Sequence, residues 1–131
     1  MGFEQINHTA DLRLRIWGDT FQTLCSEAVR GLSSIMQVPV HSAPGLSYKV
    51  KAGGYDREEK LVALLNRCLA LFYSEEMLCL YIEELTETEN TLLATVAFNK
   101  CDLSVVREAV EIKAATFHNL EIKTTAYGME V

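Results

Sequence analysis

The chain has no long hydrophobic run. No apolar stretch approaches the roughly 18 residues that a membrane-spanning helix needs, and the N-terminus lacks the charged-then-apolar pattern of a signal peptide. A cytosolic protein is the expectation. Cationic side chains are also scarce: 12 Lys and Arg stand against 18 Asp and Glu, a net charge of −6. Non-specific binding to nucleic acid comes largely from cations that displace counterions from phosphates. Direct contact with nucleic acid is therefore not expected, and any RNA-related role would run through a protein partner. The basic residues that do occur, among them Arg13, Arg15, Lys49, Lys51, Lys113 and Lys123, mostly alternate along strand-like stretches, as solvated strand faces do.

Metal-finger and redox spacings are missing too. Cys25, Cys68, Cys79 and Cys101 form no CxxC pair. Cys25 and Cys68 fall on apolar faces of expected helices, where a free thiol acts as a small hydrophobe. No activating base accompanies any of them, so structural thiols are expected. There is no nucleophile motif, no phosphate-cradling glycine loop, no internal repeat and no linker.

What remains is an ordinary globular composition, with 49% hydrophobic and 23% charged residues. A chain of 131 residues is long enough to bury a core without staples, and one domain over 1–131 is expected. Residues 3–6 read as a strand start. The tetrad His8-Thr9-Ala10-Asp11 precedes an alternating run, 12–17, that puts Leu12, Leu14 and Ile16 on one face. An aspartate can ligate a hard cation, and a histidine can ligate, move a proton or cap a turn; a turn-capping role and a functional site both fit.

Gly18-Asp19-Thr20 breaks the strand and offers an N-cap. Phe21, Leu24, Cys25, Ala28, Val29, Leu32, Ile35 and Met36 follow at helical spacing. A strand over 46–52 leads through Gly53-Gly54 to a second helix capped by Asp56. Its apolar face is broad, so it is expected to be the more buried of the two. Stretches 77–85 and 91–98 read as strands joined by a polar loop over 86–90. Residues 99–108 are ambiguous, 110–115 and 117–124 are strand-like, and a last strand starts near Tyr127. Two helices with six or seven strands in mostly hairpin order imply an α+β fold, an antiparallel-rich sheet with both helices packed on one face.

A second polar cluster, Glu111-Ile112-Lys113-Ala114-Ala115-Thr116-Phe117-His118, lies toward the far end. By itself it reads as a solvated strand face with an exposed Glu–Lys pair of little energetic weight. With the tetrad and with Leu61-Val62-Ala63-Leu64-Leu65-Asn66, in this order across nearly the whole chain, it resembles the archease family. The cluster is similar to that family's Glu-Val-Lys-Ala-x-Thr-Tyr-His signature, with Phe117 in the tyrosine's place.

The resemblance implies a non-enzymatic activator of the RNA-splicing ligase, which charges an active-site histidine with GMP before joining RNA ends. It also implies a divalent-metal site, calcium being the usual ion, with Asp11 matching the first metal-binding aspartate. His8, Thr9, Lys113, Thr116 and His118 would face the partner. The family ends in a strand that finishes with an aspartate and an aliphatic residue. Here the chain stops several residues early, and Glu130-Val131 imitates that ending, so the C-terminal strand is expected to be shortened with Glu130 and Val131 as candidates for the second half of the metal site. Two other readings stand beside this one. A small metal-dependent hydrolase would use His8, Asp11 and His118, a donor set suited to a transition metal. A degenerate binding module would keep the fold without the metal site.

Overall fold

The alternating stretches become strands and the stretches with 3- and 4-residue spacing become helices. The computed structural model describes residues 1–7, 12–36, 45–101, 123–125 and 128–130. Among them run β1 (Gly2–Asn7), β2 (Leu12–Gly18), α1 (Phe21–Met36), β3 (Leu46–Gly53), α2 (Arg57–Glu75), β4 (Met77–Glu87), β5 (Thr91–Lys100), β6 (Lys123–Thr125) and β7 (Gly128–Glu130). The α+β class holds, with the antiparallel strands divided between two sheets, ordered β1-β2-β7-β6 and β3-β5-β4.

Both helix starts are fixed by side chains that satisfy the orphan amides of a first turn. Thr20 and Thr23 do so reciprocally at α1: the Thr23 N–H donates to Thr20 Oγ1 at 3.2 Å and the Thr20 N–H to Thr23 Oγ1 at 2.9 Å. Gly18 is required at this corner, because a Cβ there would lie 2.5 Å from Thr23 Oγ1 and 2.9 Å from the Leu24 nitrogen. At α2 the expected cap is found. Asp56 Oδ1 accepts from the Glu59 N–H at 2.8 Å, and Glu59 Oε2 accepts from the Tyr55 N–H at 2.7 Å. The helix ends on Glu76 in the left-handed region at φ 54°, whose N–H reaches back to the Leu71 and Phe72 carbonyls.

The burial order of the helices reverses the expectation. Helix α1 packs on β1, β2 and β7 of one sheet and on β4 of the other, and Phe21, Leu24, Cys25, Ala28 and Val29 are fully enclosed. Among the described residues helix α2 packs on the strands of the β3-β5-β4 sheet alone, chiefly β3 and β4, and leaves Arg67, Ala70 and Tyr73 exposed. A broad apolar face says how much surface a helix can bury. How many layers meet it is decided by topology.

Strands β4 and β5 run past the ends expected for them, so the loop narrows to a tight turn in which the Thr88 N–H donates to the Thr91 carbonyl at 2.8 Å. Glu87 therefore belongs to a strand. It accepts from Arg57 Nη2 at 3.0 Å and Lys60 Nζ at 3.2 Å, and Lys60 also donates to the Thr88 carbonyl at 2.8 Å. The Lys60 side chain is 5% exposed and that of Glu87 17%. Arg57 lies over the Phe21 ring at 4.7 Å, which ties the start of α1 to the same group. Burial pushes the Glu87 carboxyl up, but the hydrogen bonds and charges of Arg57 and Lys60 outweigh it and hold the group below its ordinary value.

A depressed carboxyl contributes stability above its unfolded pKa, and that contribution is lost as the pH falls through the folded one. Glu87→Gln is expected to lower stability by about 2 kcal/mol at neutral pH, since it leaves Lys60 buried without a counter-charge. Denaturant titrations from pH 7 down to pH 3 should show the gap between the two proteins closing below about pH 4.3, the ordinary glutamate value. A gap that does not change with pH would refute this role.

Candidate functional site

The β1/β2 register places Asn7 opposite Leu12, so residues 8–11 join two paired strands of the first sheet. His8, Thr9 and Asp11 lie outside the described residues, as do Lys113, Thr116, His118 and Val131. The described backbone shows where the segments that carry them enter. Strand β7 pairs with β2, Trp17 opposite Glu130 and Gly18 opposite Met129, and β6 pairs with β7 through Lys123 opposite Glu130. Trp17, Glu130 and Lys123 thus stand in one row of the sheet. Strands β2 and β6 run in the same direction, each antiparallel to β7. Leu12 precedes Trp17 by five residues, and His118 precedes Lys123 by five. The segment with the first motif therefore enters this sheet through β2, and the second motif lies ahead of β6 in the chain.

That row is firmly seated. The Trp17 ring lies across Gly2, where a Cβ would be 2.6 Å from Cζ2, so only glycine admits it. Arg15 sits 5.6 Å from the Trp17 centroid and pairs with Glu4 at 3.1 Å. Glu130 belongs to this end of β2. At about 3.4 Å per residue its Cα stands about 17 Å along the strand from the row of Leu12. No group of three or more His, Cys, Asp or Glu suited to a metal occurs among the described residues. Asp11 and Val131, two of the three residues expected to hold the ion, lie outside the described residues.

The cysteines behave as expected of structural thiols. All four are free and buried. Burial, reinforced by the charge of Glu87 and opposed by Arg57, pushes the Cys25 thiol up to about 12. Cys79 is pushed up by its hydrogen bond with Cys68 and by burial, and its Sγ donates to the Val29 carbonyl at 4.0 Å. Neither has the thiolate character that nucleophilic chemistry needs. An open hollow of about 500 Å³ at Gly53, Gly54, Tyr55, Glu59 and Asn90 has its backbone donors already engaged, the Gly54 N–H by the Asn90 carbonyl and the Tyr55 N–H by Glu59.

The family model of the archease protein family matches residues 3–131. The chain belongs to the archease family. Protein archease of Methanosarcina barkeri is 26% identical over 130 residues, covering 96% of this chain and 89% of that protein. Protein archease of Methanopyrus kandleri is 29% identical over 126 residues, covering 94% and 90%. Two solved structures share the fold. A crystal structure of an archease, described as a possible chaperone, from Thermotoga maritima has a TM-score of 0.62 at 22% identity, over 97% of this chain and 91% of that one. The solution structure of a Methanobacterium thermoautotrophicum protein has a TM-score of 0.64 at 21% identity, over 98% and 94%. Sequence reasoning missed the Glu87–Lys60–Arg57 group and the row that centres on Trp17. The only sequence signal for the first was Lys60 on the apolar side of a helix.

In this archease-family chain the thiols should be kinetically silent. With an aromatic disulfide reagent at pH 8, each of the four is expected to react at least about a hundredfold slower than a free thiol, and all four at once after denaturation. A fast-reacting cysteine in the folded protein would overturn the structural assignment.

Proposed function

We propose that this chain is a protein cofactor of an RNA-splicing ligase: it promotes guanylylation of the ligase histidine and repeated turnover, and does not itself join RNA. The observation that carries this reading is the archease match across residues 3–131, with residues 8–11 and 111–118 in the family's order. The net charge of −6 supports docking on a ligase over gripping RNA directly. No described helix is long and apolar enough to cross a membrane, which agrees with action beside a cytoplasmic tRNA-processing enzyme.

In this reading His8, Thr9, Lys113, Thr116 and His118 contact the ligase. The direction shared by β2 and β6, with the first motif ahead of one strand and the second ahead of the other, favours one shared end of the sheet for them. The proposal includes a divalent ion, calcium by family resemblance, on the Asp11 carboxylate. Glu130 and Val131 are the candidates for the second half of that site, and the Glu130 backbone stands in the row of Trp17. No step of the activation is assigned to the ion.

The test is ligase guanylylation from labelled GTP under multiple turnover, with and without this protein. Stimulation of at least about tenfold is expected, a barrier change of about 1.4 kcal/mol. Asp11→Ala should unfold within about 0.5 kcal/mol of the parent yet stimulate no more than buffer, and should lose calcium binding by titration calorimetry. Full stimulation by folded Asp11→Ala would refute the role of Asp11. If the parent is inert but a chain with β7 prolonged to an aspartate stimulates, the partner reading stands and the metal site requires the longer strand. If both are inert, the reading falls.

A further inference from the structure

The β3-β5-β4 sheet has a second face, turned away from the helices. Burial alternates along β5 from Leu92 to Val96, with Leu92, Ala94 and Val96 fully enclosed and Leu93 on the opposite side 42% exposed; Ala97 and Phe98 are both buried. The register then gives the outward rows. Lys49, Thr95 and Glu84 lie across one row and Lys51, Leu93 and Thr86 across the next. A third row holds Ser47, Ala97 and Tyr81, with Tyr81 50% exposed. Ser47 donates to Glu83 Oε1 at 2.7 Å from across the intervening strand, which braces the end of this face and occupies Glu83.

The charges on this face are sorted by strand. Cations stand on β3, neutral and apolar residues on β5, and an acid on β4. Lys49, Lys51 and Glu84 are exposed, and none joins an ion pair among the described residues. Lys49 and Glu84 share a row but are separated by β5, about 9.6 Å at the usual strand spacing. A like sheet placed over this one by a two-fold axis along β5 would put each Lys49 over the other copy's Glu84, with Leu93 and Tyr81 covered between them. An axis across the strands would put lysine over lysine. We propose that this face binds a second copy of the chain, sheet on sheet, about a two-fold axis along β5 through reciprocal Lys49–Glu84 pairs. Sheets packed this way lie about 10 Å apart, within reach of a Lys–Glu pair. Three strands make a small interface, so association is reversible and weakens with salt. The first sheet, which carries β1 and β2, takes no part.

Sedimentation equilibrium over increasing protein concentration tests this. The parent chain is expected to pass from monomer to dimer, with Kd rising several-fold from low to high salt. Lys49→Glu and Glu84→Lys each place like charges at both contacts and should raise Kd at least tenfold. Both residues are exposed, so both variants should melt with the parent. Mixed in equal amounts, the two single variants should form a heterodimer, and the double variant carrying both changes should dimerise like the parent. A parent that stays monomeric at the highest soluble concentration overturns the proposal. So do single variants that dimerise as tightly as the parent, or a mixture that fails to associate.

Discussion

The constraint on which the rest of the structure depends is that α1 must be buried on more than one side. Its apolar positions cover too much of the helix for one sheet to shield, and Leu24, Cys25, Ala28 and Val29 reach zero exposure only because strands of both sheets close on them. Among the described residues the two sheets share no hydrogen-bonded strand, and α1 packs on both. Burial of this kind is worth about 25 cal/mol per Å² and has no direction; what gives it direction here is capping. The Thr20–Thr23 exchange and the close approach at Gly18 fix where α1 leaves β2, and with that point fixed the helix can meet β4 only along one line.

The ionic group at Glu87 works at the next level. Phe21 is the first residue of α1, Arg57 and Lys60 lie in the first turns of α2, and Glu87 ends β4. One carboxylate between two cations, with an aromatic ring under one of them, joins three elements at a corner where each would otherwise fray. A buried lysine without a partner is costly, so the group also favours one arrangement of the corner over alternatives of similar hydrophobic content. Lys60 is buried while Arg57 is 44% exposed, so the group spans the edge of the core.

Much of this fold was legible from residue spacing. Alternation at 12–17 and 46–52 and the 3–4 steps after Thr20 and Asp56 determine local structure through side-chain periodicity, which needs no knowledge of partners. What escaped was set by pairing across the chain. Glu87 sits among Thr86, Thr88 and Glu89 and looks like loop, because nothing nearby in sequence reveals Lys60 below it. The broad face of α2 suggested deep burial, yet it meets one sheet while α1 meets two. The site divides the same way. Residues 8–11 and 111–118 stand out through resemblance to a family, and none of them lies among the described residues, so their geometry stays with the expectation.

Glu130 shows why local likeness and register can part. An acid followed by an aliphatic residue looks like the ending the family uses, but a strand position acquires its neighbours only from pairing. A displacement by one residue also turns a side chain to the other face. Pairing puts Glu130 beside Trp17, at the end of β2 remote from Leu12. Because β7 lies between β2 and β6, its register alone sets both how Glu130 stands along β2 and how Lys123 aligns with Trp17. A ligand on β7 and the segment ahead of β6 cannot then be adjusted independently. Any shift of β7 that carries Glu130 toward Leu12 forces β6 either to re-pair or to move with it.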